Sequence, residues 1–203
     1  RSPIEKEMRE ALLALLARGK DVVAVSGAED ARMWKQIGDD FRNKISLLAQ
    51  NGNNAYLHTS RKYLWERKLS PKEKEDIRAH AAAVKEKCGD LIERVRKESP
   101  EKLLEDRGCQ MSFSFVGHNA PLAAKIRFDP GGFLRKEILE KIPLTSEKVE
   151  VKSGGTTCLD YFQRGKHKGY NITEWLGQLG WRAEDSLYIG DALFPGGNDE
   201  SVI

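Results

Sequence analysis

The stretch Ser186-Leu187-Tyr188-Ile189-Gly190-Asp191-Ala192-Leu193-Phe194-Pro195-Gly196-Gly197-Asn198-Asp199 decides how this chain is read. Its first four residues are a short apolar run, which predicts a buried strand ending at Gly190. Asp191 and Asp199 then fall on a Gly- and Pro-punctuated loop at the carboxyl end of that strand. In open α/β sheets ligands gather at that edge, and a hard divalent cation takes one or two carboxylates there together with phosphate oxygens. An acidic surface turn uses the same residue types, so other strand ends must decide between the two readings.

Two further strand ends bear on it. Asp21-Val22-Val23-Ala24-Val25 predicts a second buried strand that runs into Ser26-Gly27-Ala28. A hydroxyl and exposed backbone amides at such a place make an oxyanion-binding corner, although Ser26 could equally cap the following helix. Gly165-Lys166-His167-Lys168-Gly169-Tyr170 leads into a helical stretch with Ile172, Trp175, Leu176 and Leu179. A lysine at that helix entrance, Lys168 or Lys166, can hold a phosphate, while His167 reads as exposed. Hydroxyl, lysine and paired aspartates at successive strand ends point to an α/β fold that handles a phosphorylated small molecule.

The rest of the chain fills in the architecture. Ser2, Pro3 and Glu5 predict an N-cap and capping box for a first helix whose apolar face is Ile4, Met8, Leu12, Leu15 and Leu16, closed by Gly19. Met33, Trp34 and Ile37 predict a helix after Ser26, and Ile45-Ser46-Leu47-Leu48-Ala49 a strand ending in the turn Gln50-Asn51-Gly52-Asn53-Asn54. Residues 55–69 read as a hairpin. Pro71 opens a charged helical region to about Lys97, broken near Gly89, whose charges read as a solvated face. Cys109-Gln110-Met111-Ser112-Phe113-Ser114-Phe115 alternates for seven positions, a half-buried strand with Met111, Phe113 and Phe115 inward. Further strands are predicted over residues 125–128, 147–152 and 156–162, with a helix carrying Leu134, Ile138 and Leu139 after Gly131-Gly132. Trp175 and Trp181 read as core.

Composition narrows the function classes. With 34 basic and 31 acidic residues the net charge is only +3, which gives no electrostatic reason for a nucleic-acid partner. No apolar run approaches membrane-spanning length and no signal peptide is evident, so the expectation is a cytoplasmic protein with no membrane partner. Cys88, Cys109 and Cys158 are odd in number and lack metal or redox spacing, in keeping with a reducing compartment.

Together these motifs resemble the haloacid dehalogenase superfamily of aspartate-nucleophile phosphotransferases, with a type IIB cap and a phosphomannomutase-like spelling in Pro195-Gly196-Gly197-Asn198-Asp199. The resemblance implies a Rossmann-like core over residues 1–69 and 164–203, with an α+β cap inserted over residues 70–163. It implies Ser26 and Lys168 on the transferring phosphoryl group, Asp199 orienting Lys168, Asp191 as ligand of a Mg²⁺ cofactor, and Gly27 and Asn51 on the substrate side. The superfamily's Asp-x-Asp nucleophile motif has no match here, so the core is incomplete as written and the motif is expected before Arg1 in a longer protein. In the cap, Leu104 to Phe128 is similar to the mutase phosphate-binding stretch, with Arg107, His118 and Lys125 where that family has three arginines. Asp160 matches an aspartate that binds sugar hydroxyls, and Cys158 replaces a serine. Softening the cationic set in this way favours a Mg²⁺-dependent phosphatase of a phosphorylated sugar over a phosphomannomutase. A non-catalytic sugar-phosphate-binding protein is the third reading. The resemblance also implies a homodimer through the cap.

Overall fold

The computed structural model describes residues 3–190, 193 and 199–202. The chain forms two compact units, Arg1–Arg67 and Lys68–Ile203.

The first unit is built on a four-stranded sheet in sequence order, β1 (Val23–Val25), β2 (Ser46–Ala49), β3 (Asn54–Leu57) and β4 (Lys62–Glu66). β1 and β2 are parallel, with Val23 opposite Ser46. A parallel pair needs a crossover, and α2 (Asp30–Ile37) supplies it, burying Met33 and Trp34. The last two strands are the expected hairpin, antiparallel to one another. β2 is buried along its whole length, whereas β1 is only half-buried. α1 (Lys6–Ala17) begins later than its apolar pattern predicts, with Glu5 at the N-cap; Ser2 lies outside the described residues. The Ile4 amide donates to the Gln36 carbonyl at 2.9 Å, which ties residue 4 to α2 instead of to the helix that follows. Met8 and Leu15 are exposed, and the inward stripe is Arg9, Leu12 and Leu16, spaced three and four. The Arg9 guanidinium sits 5.1 Å from the Phe41 ring centre, so a cation takes the edge that Met8 was expected to fill.

In the second unit, Ser70 opens α3 (Pro71–Lys87) with a full capping box: its hydroxyl accepts from the Glu73 amide, and the Glu73 carboxylate accepts from the Ser70 amide at 2.7 Å. The charged sequence of α3 hides a buried stripe, Ile77, His80, Ala81 and Val84, so it is more than a solvated face. α4 (Gly89–Val95) follows directly, and Gly89 marks the break as expected. An antiparallel sheet then runs in the order β5 (Leu104–Asp106), β6 (Met111–Ser114), β8 (Cys158–Gln163), β7 (Val149–Gly154). Its register pairs Met111 with Tyr161 and Phe113 with Leu159, all buried in the core of this unit. The intervening pairs are Ser112 with Asp160 and Ser114 with Cys158, so the polar side chains of both central strands share the other face. That face is buried too, which corrects the half-buried expectation for β6.

Two predicted strands are absent. Lys125–Phe128 belongs to a helix, α5 (Leu122–Phe128). Leu, Ala, Ala, Lys and Arg are strong helix formers, and Ala124 and Phe128, four apart, pack on the core. Residues 186–190 have no regular structure, and Leu187 and Ile189 are 86% and 84% exposed. A strand exists only through its ladder, and neither sheet includes this run among the described residues. α6 (Phe133–Lys141) and α7 (Lys168–Leu179) form where predicted, and Trp175 is buried. No helix of the described residues is long and apolar enough to cross a membrane.

His80 gives the second unit a pH dependence. Its Nδ1 lies 3.0 Å from the Tyr161 hydroxyl and its Nε2 2.8 Å from the Ile142 carbonyl. Burial pushes its pKa below the ordinary value, only partly offset by the Ile142 contact. Below about pH 6.5 the unfolded chain therefore binds a proton that the folded chain refuses. Stability is expected to fall as pH drops from about 6.5 toward the lowered value, and His80→Gln should flatten that limb in urea titrations at pH 5 and 7. His118 acts in the opposite sense: its pKa is raised, so its contribution is lost as pH climbs through that raised value.

Candidate functional site

In the first unit, Ser26 stands immediately after β1. Its Oγ accepts from the Ala28 amide at 3.1 Å, a local turn that presents the hydroxyl at the strand end. It does not cap α2, whose N-cap is Glu29. Two backbone bonds lace this corner to the loop after β2: Asn51 N–H to Ser26 O at 2.8 Å, and Gln50 N–H to Ala28 O at 2.8 Å. Asn51 is buried and has a φ of +59°, the left-handed region that asparagine tolerates better than most residues. Ser26, Gly27 and Asn51 thus form one corner.

The second unit holds the lysine and one aspartate. Lys168 is the first residue of α7 and is buried, as is Asp199; the two form an ion pair, and the Tyr188 hydroxyl donates to Asp199 Oδ1 at 2.8 Å. A cation at a helix N-terminus opposes the macrodipole, so Asp199 is the charge that makes this position tolerable. His167, expected to be merely exposed, caps α7 by accepting from the Tyr170 amide at 3.2 Å. Gly169 is required by close approach: its amide donates to Ser201 Oγ at 3.1 Å, and a Cβ on it would overlap the Ser201 carbonyl. Gly169→Ala is therefore expected to cost about 1–3 kcal/mol through overpacking and to separate residues 199–202 from α7, measurable as a lower urea midpoint. Asp191 and residues 194–198 lie outside the described residues.

A second constellation gathers on the polar face of β6 and β8. The Arg107 guanidinium donates to Glu105 at 2.7 Å and lies 3.4 Å from His118 Nδ1. Asp160 accepts from Ser112 Oγ at 2.6 Å, and the Lys125 ammonium donates to the His118 carbonyl. All four predicted cap residues therefore meet, although Lys125 arrives from a helix and grips backbone. Burial works against the Arg107 charge, but Asp160 and Glu105 outweigh it and its pKa moves up. Ser112 was missed as a partner of Asp160 because only the strand register reveals it, while Glu105 reaches Arg107 from two residues away on the same segment. Gly154 leaves the space that the Asp160 carboxylate fills. Two surface depressions, one beside His80 and one beside Leu91, contain none of the predicted site residues.

No protein-family model and no curated protein matches the sequence. Solved structures do. The chain is similar to SMU.1108c from Streptococcus mutans UA159, with a TM-score of 0.65 and 16% identity over 98% of this chain and 77% of that one. It is similar to a haloacid dehalogenase-like hydrolase from Bacteroides thetaiotaomicron, with a TM-score of 0.61 and 16% identity over 98% and 78%. The HAD subclass IIB sugar phosphatase BT4131 matches with a TM-score of 0.60 and 19% identity over 98% and 76%. At these identities the likeness is one of fold: a mixed α/β chain that shares its architecture with these structures over 98% of its length.

Proposed function

We propose that this chain belongs to a phosphatase of the haloacid dehalogenase type, acting on a phosphorylated sugar or similar small metabolite through an aspartyl-phosphate. The observation that carries the reading is the buried Lys168–Asp199 pair at the entrance of α7. A buried ammonium beside a helix N-terminus is placed to meet phosphoryl oxygens, and Asp199 holds it in position. The fold likeness, which includes a sugar phosphatase, supports the same conclusion.

In this reading the nucleophile is the aspartate of the Asp-x-Asp motif that the resemblance implies. The Lys168 ammonium is assigned to oxygens of the transferring group, a role the resemblance also implies for the Ser26 hydroxyl. Positioning and charge stabilisation supply most of the catalysis in such a transfer. Arg107 and Asp160 are assigned to the substrate's phosphate and hydroxyls, with His118 and Lys125 shaping the same face. Residues 70–163 act as the cap and residues 1–69 and 164–203 as the core. Mg²⁺ is implied by the resemblance, with Asp191 as its ligand. Among the described residues, however, no group of three His, Cys, Asp or Glu side chains could hold a metal ion, and Asp199 is engaged by Lys168 and Tyr188. The described donors do not by themselves make a Mg²⁺ site.

The cationic set argues against the mutase alternative. Where the resemblance has three arginines, His118 Nε2 is turned to the carbonyls of Leu103 and Ser112 and Lys125 to the carbonyl of His118, which leaves Arg107 as the one guanidinium of the set. A mutase must grip a second phosphate firmly while its bisphosphate turns round. The test is a panel of sugar phosphates, with and without Mg²⁺, offered to the protein as its gene encodes it. Release of inorganic phosphate without isomerisation of mannose 1-phosphate is expected. Isomerisation with little release would establish the mutase, and calorimetric binding with neither would establish a binding protein.

A further inference from the structure

Tyr188 is the one residue of the run 186–190 that is not exposed, and phosphoryl transfer as described gives it no part. Leu187 and Ile189 on either side of it face solvent. A ring withdrawn from water between two exposed apolar neighbours is held by something specific. Its hydroxyl supplies the hold, donating to Asp199 Oδ1 at 2.8 Å. The Lys168 ammonium donates to the same oxygen. The other carboxylate oxygen lies against Gly190, where a Cβ would stand 2.6 Å from Asp199 Oδ2 and 2.7 Å from the edge of the Tyr188 ring. Gly190 therefore lets the phenol and the carboxylate close over one backbone position.

The backbone and the side chain of Asp199 are fixed by different means. The Val202 amide donates to the Asp199 carbonyl at 3.0 Å, and the Gly169 amide to Ser201 Oγ at 3.1 Å, which ties this turn to the start of α7. The carboxylate itself can still rotate about its last bond, a torsion with a broad, roughly two-fold profile. An ammonium has three hydrogens and no lone pair, so with one given to Asp199 the position of that oxygen sets where the other two point. A hydrogen bond to an ionised acceptor is about twice as strong as one between neutral groups. A phenol on a ring with two torsions gives up little freedom to make it.

We propose that Tyr188 is a positioning residue for phosphoryl transfer: its hydroxyl, sharing Asp199 Oδ1 with Lys168, holds the carboxylate that aims the ammonium at the transferring group. This role rests on the phosphatase reading and deepens it, because Tyr188 acts through Asp199 and not on substrate. An ammonium aimed at the transferring group contributes most where charge builds up, so losing its aim lowers kcat more than it raises KM. Misplacement of a reacting group by about 1 Å costs up to about 10²-fold, and Tyr188→Phe, which leaves the Lys168–Asp199 pair in place, is expected to cost about tenfold.

The test compares Tyr188→Phe with the unaltered protein, each as the gene encodes it, on p-nitrophenyl phosphate and on the sugar-phosphate panel. Phenylalanine keeps the ring beside Gly190 and removes only the hydroxyl. The expected result is a kcat lowered about tenfold with KM within about twofold, and a crystal structure of the variant in which the Asp199 carboxylate has rotated. A hydroxyl that only braces the fold would lower the urea midpoint and leave kcat where it was, and that result overturns the proposal. So does a rise of about tenfold in KM at constant kcat, the mark of lost uniform binding. An unrotated carboxylate in the variant's structure overturns it as well, whatever the turnover. Absence of turnover in the unaltered protein would fell the phosphatase reading and this role with it, whereas turnover that Tyr188→Phe does not slow fells only the role of Tyr188.

Discussion

Replacing Arg135 with methionine is expected to destabilise the second unit by about 3–5 kcal/mol, enough to unfold many domains outright. Arg135 is 2% exposed and lies on α6, where helical periodicity marks only Leu134, Ile138 and Leu139 as inward. Its Nε donates to Asp129 Oδ2 at 2.8 Å, and its Nη1 reaches the carbonyls of Gly154, Gly155 and Cys158 at 3.0, 2.8 and 3.2 Å. One planar fork thus joins the start of α6 to the turn between β7 and β8. Methionine fills comparable volume but strands a buried carboxylate and several carbonyls, and an unmet buried acceptor costs about 1–3 kcal/mol by itself. Asp129 retains the amides of Leu134 and Arg135, so its loss of partners is incomplete, which keeps the expected figure inside the range for a broken buried pair. Arg135→Lys should recover only part of the loss, because a single ammonium cannot serve acceptors spread over two planes. Urea unfolding monitored by the second unit's tryptophans reads the effect, and a change under about 1 kcal/mol in Arg135→Met would remove the hub from this account.

What was legible in the sequence divides along a physical line. Elements specified by local chemistry were readable: the helix that Pro71 opens, the β6 alternation and the hairpin of β3 and β4. Elements that depend on a neighbour were not. The run 186–189 has strand composition but no ladder, and the segment 125–128 was assigned by its ends instead of by the helix-forming residues of α5. The same division holds at the candidate site. Arg107, His118 and Asp160 were visible as residue types in a motif, and they do meet. Glu105 is two residues from Arg107 on the same segment, whereas Ser112 meets Asp160 only through the register of β6 and β8, and no spacing along the chain reports which residue lies across a ladder. Arg135 escaped notice for a related reason: a charged residue on an amphipathic helix reads as solvated until its acceptors are known.

The Lys168–Asp199 pair permits a sharper test, because there stability and chemistry should separate. Lys168→Met leaves the Asp199 carboxylate buried beside the Tyr188 hydroxyl without its counter-charge, and is expected to cost about 3–5 kcal/mol. Asp199→Asn leaves the ammonium at a helix N-terminus without its counter-charge and should cost a similar amount, since dipole and burial both oppose it. The double variant Lys168→Met with Asp199→Asn removes both charges and should be less destabilised than the sum of the two, the signature of a coupled buried pair in a double-mutant cycle. A structural pair would end there. If Lys168 also holds the transferring phosphoryl group, the double variant, though partly restored in stability, stays lowered by about 10²–10³-fold in kcat/KM, the usual consequence of removing one transition-state donor. Asp199→Asn alone, which keeps the ammonium but frees it from its orienting partner, should lose less. Recovery of turnover in step with recovery of stability would make the pair a strut of the fold and move the phosphate-binding role away from Lys168.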